Sequence, residues 1–287
     1  MSAETDVRIE RDSLGEVRVP AGALYQAQTQ RAVDNFPISG LTMPRAFIAA
    51  VGLVKWAAAG ANEDLGLLPA EVADAIRRAA DGVIAGEHDA HFPIDVFQTG
   101  SGTSSNMNTN EVIANRALEI IGHSRGEYEA VHPNNHVNKS QSTNDAYPTA
   151  IRLAVLLSYS ELTDALADLA YELKQKSVEF SDVIKMGRTQ LQDAVPMTLG
   201  QEFDGFRVTV KEDIQRINVV VQLFREINLG ATAIGTGITA KPEYSSLAIE
   251  ELSRIAKFEL VQAENLMEAT SDMGAFVMFS SVLKRIA

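Results

Sequence analysis

Three stretches of this chain gather hydroxyl and amide side chains densely enough to suggest chemistry. The first is QTGSGTSSNMNTNE, Gln98 to Glu111. Gly100 and Gly102 allow tight turning, while Ser101, Thr103, Ser104, Ser105 and nearby N–H groups suit a carboxylate held where a helix begins. A Gly-rich turn followed by a helix cap explains the same residues. No Gly-Lys-Ser/Thr closes the segment, which separates it from phosphate-binding P-loops. The second is HPNNHVNKSQSTND, His132 to Asp145, where Ser140, Ser142, Thr143, Asn144 and Asp145 crowd the start of a long helix. Capping by Asn144 or Asp145 accounts for one of these residues and leaves the others. His132 and His136 have the i,i+4 spacing of some metal ligands. Pro133, Asn134 and Asn135 between them favour an extended or turn conformation, so no metal is expected. The third, GRTQLQDAVP, Gly187 to Pro196, offers Arg188, Thr189, Gln190, Gln192 and Asp193, and also reads as a solvated loop. No Ser-His-Asp order, carboxylate pair or HExxH occurs among them. Neutral donors of this kind suit stabilisation of an oxyanion.

The elements expected to carry these segments are helices. Residues 1–45 hold scattered Gly and Pro and read as an irregular arm. Helices are predicted over about Pro44 to Asp64, Pro69 to Ala85 (with Pro69 in the first turn) and Glu111 to Ile121. Val155, Leu162, Leu166, Leu169 and Leu173 then recur at spacings of 7, 4, 3 and 4. Phe203, Phe206, Val210, Ile214, Ile217, Val221 and Phe224 follow at 3, 4, 4, 3, 4 and 3. Both runs are seams of long bundle helices, with a polar break over Met186 to Asp193 between them. After GATAIGTG, Gly230 to Gly237, a helix is predicted from about Pro242 to Lys257, and a last one from Ala269 through Ala287. The expected fold is all-α, with an N-terminal domain over 1–141 and a central helical bundle over 142–287. SSVLKRIA, Ser280 to Ala287, carries no helix stop, so the expected bundle is an incomplete one.

Composition narrows the function classes. With 287 residues and 46% apolar content, the chain can bury a sizeable core. It has no cysteine, which excludes disulfides and thiol nucleophiles. A formal charge of −13 without a Lys/Arg cluster argues against nucleic acid. No apolar run reaches membrane-span length, and Met1 to Arg11 lacks the core of a signal peptide, so a cytoplasmic protein is expected.

GSGTSSNMNTNEVIANRA and VNKSQSTNDAYPT closely resemble the aspartase/class II fumarase superfamily, and the resemblance runs from RIERDSLGEVRVP to ATSDMGAFVM. STND (Ser142 to Asp145), GHSRGEY, GATAIGTG and Gln190 lean to the aspartase branch; fumarases usually carry His at the position of Gln190. AQTQRAV and FQTGSGTSSNMNTNEVIA are at least as fumarase-like. The resemblance implies anti elimination of ammonia from L-aspartate to give fumarate, with hydration of fumarate to malate as the alternative. It implies that Thr103, Ser142 and Thr143, with Ser101 nearby, bind the β-carboxylate. Asn144, Thr189 and Gln190 then hold the amino group, and Thr143, Thr189 and Gln190 are the candidate catalytic residues. His132, Asn134 and Asn135 match a second anion site of fumarases. A homotetramer with active sites shared between subunits is implied, as are a small dicarboxylate substrate and no cofactor or metal. The family's serine loop, approximately GSSxMPxKxNP, has no counterpart in these 287 residues, so this polypeptide alone is expected to be inactive.

Overall fold

The computed structural model describes residues 6–100 and 102–287. They form an all-α protein carrying short two-stranded ribbons, arranged as two compact units. The first unit runs to Val155 and takes in Arg225–Asp272; the second is Leu156–Phe224 with Met273–Ala287. The units part within a helix, after Val155.

In the first unit, the expected irregular arm is ordered. Strands β1 (Val7–Asp12) and β2 (Gly15–Pro20) pair antiparallel, and α1 spans Ala27–Asn35. Arg8 holds the chain after β2 by donating to the backbone oxygens of Pro20, Ala21, Ala23 and Tyr25. Helix α2 (Arg45–Asp64) packs against α3 (Ala70–Ala85) and α7 (Tyr244–Ala256). Both α2 and α3 begin directly after a proline, Pro44 and Pro69, each extended at the N-cap. Helix α4 (Thr103–Ile120) packs on α3. Ile76 and Val83 of α3 and Ile113 and Leu118 of α4 are fully buried in the shared core. Most of α2 is buried around its whole circumference, as for a helix enclosed by neighbours.

Helix α4 begins eight residues before the expected Glu111. Most of the polar segment is therefore helical: Asn106, Asn108, Thr109 and Asn110 are buried, Asn106 and Asn108 are satisfied by tertiary partners that local spacing does not show, and the Thr109 hydroxyl donates to the Ser105 carbonyl one turn back.

Helix α5 (Thr143–Glu179) runs for 37 residues, its first part in the first unit and the rest in the second. It contains Pro148, whose ring nitrogen cannot donate to the Asn144 carbonyl one turn back. The Asn228 amide donates to that carbonyl at 3.0 Å instead.

In the second unit, the expected loop between bundle helices is an antiparallel hairpin, β3 (Ile184–Thr189) and β4 (Gln192–Thr198). Gln190 and Leu191 connect it with φ of 49° and 66°, the doubly left-handed two-residue turn that matches strand twist. Helix α6 (Leu199–Val220) starts with a capping box between Thr198 and Gln201. The expected last helix is broken at Asp272–Met273, giving α8 (Leu266–Ser271) in the first unit and α9 (Gly274–Ile286) in the second. Helix α9 packs on α6, and its Phe276 and Phe279 meet Phe224, in the turn after α6, edge-on.

Candidate functional site

The first two polar segments come together at the N-termini of α4 and α5. Gly102, at φ +75°, precedes α4, and a Cβ there would collide with the ring of Tyr147 in the first turn or so of α5. Asn106, one turn into α4, donates to the Thr143 hydroxyl at 3.0 Å and to Asn138 Oδ1 at 3.2 Å. Thr103 opens α4 as an exposed residue, and Ser101 lies outside the described residues.

Beneath this junction is Lys55, a fully buried residue of α2. Its Nζ donates to Asn106 Oδ1 at 2.7 Å, Gln141 Oε1 at 2.8 Å and Asn138 Oδ1 at 3.0 Å. Burial pushes the ammonium down to about 7, against the pull of the Asp145 carboxylate. Three acceptors match the three N–H bonds of an ammonium, so the geometry is that of the charged form.

Asp145 is also fully buried. Its carboxylate accepts from the backbone N–H of Ser142 at 3.0 Å, Thr232 at 2.9 Å and Gly230 at 3.2 Å. It thereby fastens the GATAIGTG loop to the start of α5. Burial drives its pKa up to about 7, while these donors and Lys55 act to lower it. Tyr244, buried beside that charge, is pushed well above its usual value by desolvation and then by Asp145. Among the described residues, neither its hydroxyl nor that of buried Thr232 has a partner.

Ser142 accepts from the Asn144 N–H at 3.2 Å. Asn144 donates through Nδ2 to the Ala233 carbonyl at 2.7 Å, which turns its Oδ1, an acceptor, the other way. Thr189 and Gln190 lie in the second unit, at the exposed tip of the β3–β4 hairpin, beside the exposed Arg188–Asp193 pair at 3.0 Å.

Asn134 and Asn135 sit in a short π-helical turn, Pro133–Val137, with His132 extended at its N-cap. His132 Nδ1 accepts from the N–H of Asn134 at 3.0 Å and of Asn135 at 3.3 Å, and His136 Nδ1 accepts from the His132 N–H at 2.9 Å. Burial lowers both pKa values. Each ring is thus neutral, with its proton on Nε2. The adjoining cavity, about 270 Å³, is lined by Glu10, Asp12 and Glu111 as well as by His132 and Asn134. Those carboxylates are engaged already: Glu10 with Arg8, Asp12 with Arg31, and Glu111 with the N–H groups of Gln26, Gln28 and Thr29. Among the described residues no group of three His, Cys, Asp or Glu is placed to hold a metal.

Lys55 escaped the sequence reading. Its signal is a lone lysine within AFIAAVGLVKWAAAGA, a helix too apolar to leave any face in water.

The helical scaffold presents hydroxyl and amide groups at two adjoining helix N-termini. The chain belongs to the Lyase family (Lyase_1), whose model matches residues 15–287. It is 53% identical over 290 residues to an aspartate ammonia-lyase of Pseudomonas aeruginosa, covering 100% of this chain and 61% of that protein. It is 54% identical over 265 residues to a class II fumarate hydratase of Halobacterium salinarum, covering 92% of this chain and 56% of that protein. A crystal structure of a fumarate lyase:delta crystallin from Brucella melitensis, bound to cobalt, superposes with a TM-score of 0.96 at 53% identity, over 98% of this chain and 62% of that one. The chain thus spans about 61% of the length of the aspartate ammonia-lyase it matches.

Proposed function

We propose that the protein is an aspartate ammonia-lyase, removing ammonia from L-aspartate to give fumarate. The observation that carries this reading is the pairing of the aspartase-like STND and Gln190 with whole-chain similarity to an aspartate ammonia-lyase. Abstraction of a Cβ proton sends the electron pair into the β-carboxylate, giving a dianionic aci-carboxylate. That pair then forms the C=C bond as ammonia leaves Cα. The proton taken by the base and the departing ammonia together amount to ammonium. A Cβ–H is a very weak acid, so donors aimed at the dianion supply most of the catalysis, typically a few kcal/mol each.

Thr103, Ser142 and Thr143, with Ser101, are assigned to the β-carboxylate. Asn144, Thr189 and Gln190 are assigned to the amino group. Asn144 Oδ1, turned away from Ala233, is an acceptor suited to an ammonium. Gln190 cannot exchange protons near neutrality but can hydrogen-bond an amine. His132, Asn134 and Asn135 are assigned to a second anion site whose donor is the His132 Nε2–H. We place the enzyme in the cytoplasm as a homotetramer with active sites shared between subunits. The exposed Leu169, Tyr171, Phe206, Val219 and Met278 on α5, α6 and α9 support such burial between copies. No helix among the described residues is long and apolar enough to cross a membrane.

Class II fumarate hydratase is the second reading, favoured by the Halobacterium salinarum match. A polypeptide of the relatives' full length carrying these residues, assayed in the ultraviolet fumarate band, is expected to turn over L-aspartate and not L-malate. Turnover of malate alone would overturn the assignment.

A further inference from the structure

An ammonium has three N–H donors and no acceptor. Lys55 spends all three on the amide oxygens of Asn106, Asn138 and Gln141, at 2.7, 3.0 and 2.8 Å. Each amide is therefore held with its oxygen inward and its NH₂ outward. The opposite face of each amide agrees. Gln141 Nε2 donates to the carbonyls of Val137 and Lys139, at 3.0 and 3.1 Å, and Asn138 Nδ2 to that of Gln141 at 3.3 Å. Asn106 Nδ2 donates to Thr143 Oγ1 at 3.0 Å. A flipped Asn106 would set its NH₂ against the ammonium, donor against donor, in a buried site where such a mismatch is expensive.

A threonine hydroxyl has one hydrogen. Because Thr143 accepts from Asn106, its own hydrogen cannot lie on that line and must be offered elsewhere. Thr143 is the first residue of α5 and is only half-buried, so the remaining direction is open to a ligand.

We propose that Lys55 and Asn106 are positioning residues which together set the direction of the Thr143 hydroxyl hydrogen, so that it donates outward to a substrate carboxylate. This rests on the assignment of Thr143 to the β-carboxylate made above. Lys55 touches no substrate; it selects the Asn106 flip, and the flip selects the polarity of the hydroxyl. Without the ammonium, only the 3.2 Å donation to Asn138 Oδ1 still holds the Asn106 flip, and Asn106 Oδ1 can turn to face Thr143. The hydroxyl then donates inward and presents the carboxylate with lone pairs instead of a hydrogen.

The test is a set of double-mutant cycles on the full-length polypeptide: Lys55→Met, Asn106→Asp and Thr143→Val, alone and with Thr143→Val added to each of the other two. Asn106→Asp is nearly isosteric and keeps an acceptor for Lys55 but has no N–H for Thr143. Each single change is expected to lower kcat/KM by roughly 100-fold, the scale of losing one oyxanion-directed donor. Each double variant should lie within about threefold of Thr143→Val, because the three residues act through one hydroxyl. A role in packing alone predicts losses that multiply, and that result would overturn the proposal. If Lys55→Met fails to fold, Asn106→Asp decides: a folded Asn106→Asp protein with wild-type kcat/KM overturns it. The cycles are run on whichever of aspartate or malate the wild type turns over, so an error in the assigned reaction shows separately. If it turns over neither, the reaction has been misassigned, and the same cycles are read from succinate affinity by calorimetry. Non-additive weakening supports the proposal; unchanged affinity in the variants, or no succinate binding by the wild type, overturns it.

Discussion

The junction of α4 with α5 and the tip of the β3–β4 hairpin are built from similar residues, Ser, Thr, Asn and Gln, yet they are held in opposite ways. At the junction, Asn106, Asn138 and Gln141 are fixed from both ends, by Lys55 on one side and by backbone or hydroxyl groups on the other. At the tip, Thr189 and Gln190 are exposed, and the nearest ion pair, Arg188 with Asp193, lies in water. The lesson is that composition selects residues able to bind a ligand, whereas neighbours decide which of them have a direction before one arrives. Prepaid orientation is what makes a donor effective in catalysis.

The largest effect that would sharpen this contrast is expected at Asp145. Asp145→Ala strips the acceptor from three backbone N–H groups and leaves buried Lys55 without its counter-charge. A loss of about 3–5 kcal/mol in urea unfolding is expected, as for breaking a buried ion pair. Asp193→Ala at the tip should change stability by less than about 0.5 kcal/mol. Equal effects at the two places would erase the distinction.

Next comes the pH dependence of Lys55. Burial lowers its pKa from the usual 10.5 to about 7, so between those values the unfolded chain binds a proton that the folded chain does not. Wild-type stability should therefore rise relative to Lys55→Met as pH climbs above 7, by on the order of 2 kcal/mol by pH 9. Melting temperatures of the two proteins across that range measure it, and a constant gap would mean that folded Lys55 keeps its proton throughout, contradicting a pKa lowered by burial.

The smallest effect belongs to the tip. Leu191 is 92% exposed and left-handed at φ 66°, a conformation that glycine adopts without a Cβ penalty. Leu191→Gly is expected to stabilise the fold by about 0.5–1 kcal/mol in thermal unfolding. A destabilised variant would mean that Leu191 packs in a way the hairpin alone does not require.

Much of this arrangement was legible in the sequence. The prolines and apolar runs located α2 and α3, the seam spacings located α5 and α6, and the three polar segments contain the residues now assigned to the substrate. What escaped depended on partners far along the chain. Asn106 and Asn108 look like loop residues until Lys55 and the His91 carbonyl are seen to satisfy them, so α4 was expected eight residues too late. The hairpin over 184–198 lacks the Asn-Gly signature because Gln190 and Leu191 take the left-handed turn in its place. The strands before α1 were hidden by sparse periodicity, and Arg8, which ties the following chain to them, carries no local signal.

Pro148 has a further implication for how sequences of this kind are compared. Its missing hydrogen leaves the Asn144 carbonyl dependent on an amide 84 positions away, that of Asn228. The two positions therefore form a dependency that neither shows alone: an ordinary residue at 148 would restore the helical bond and release 228 from its duty. In an alignment, such a pair should change together.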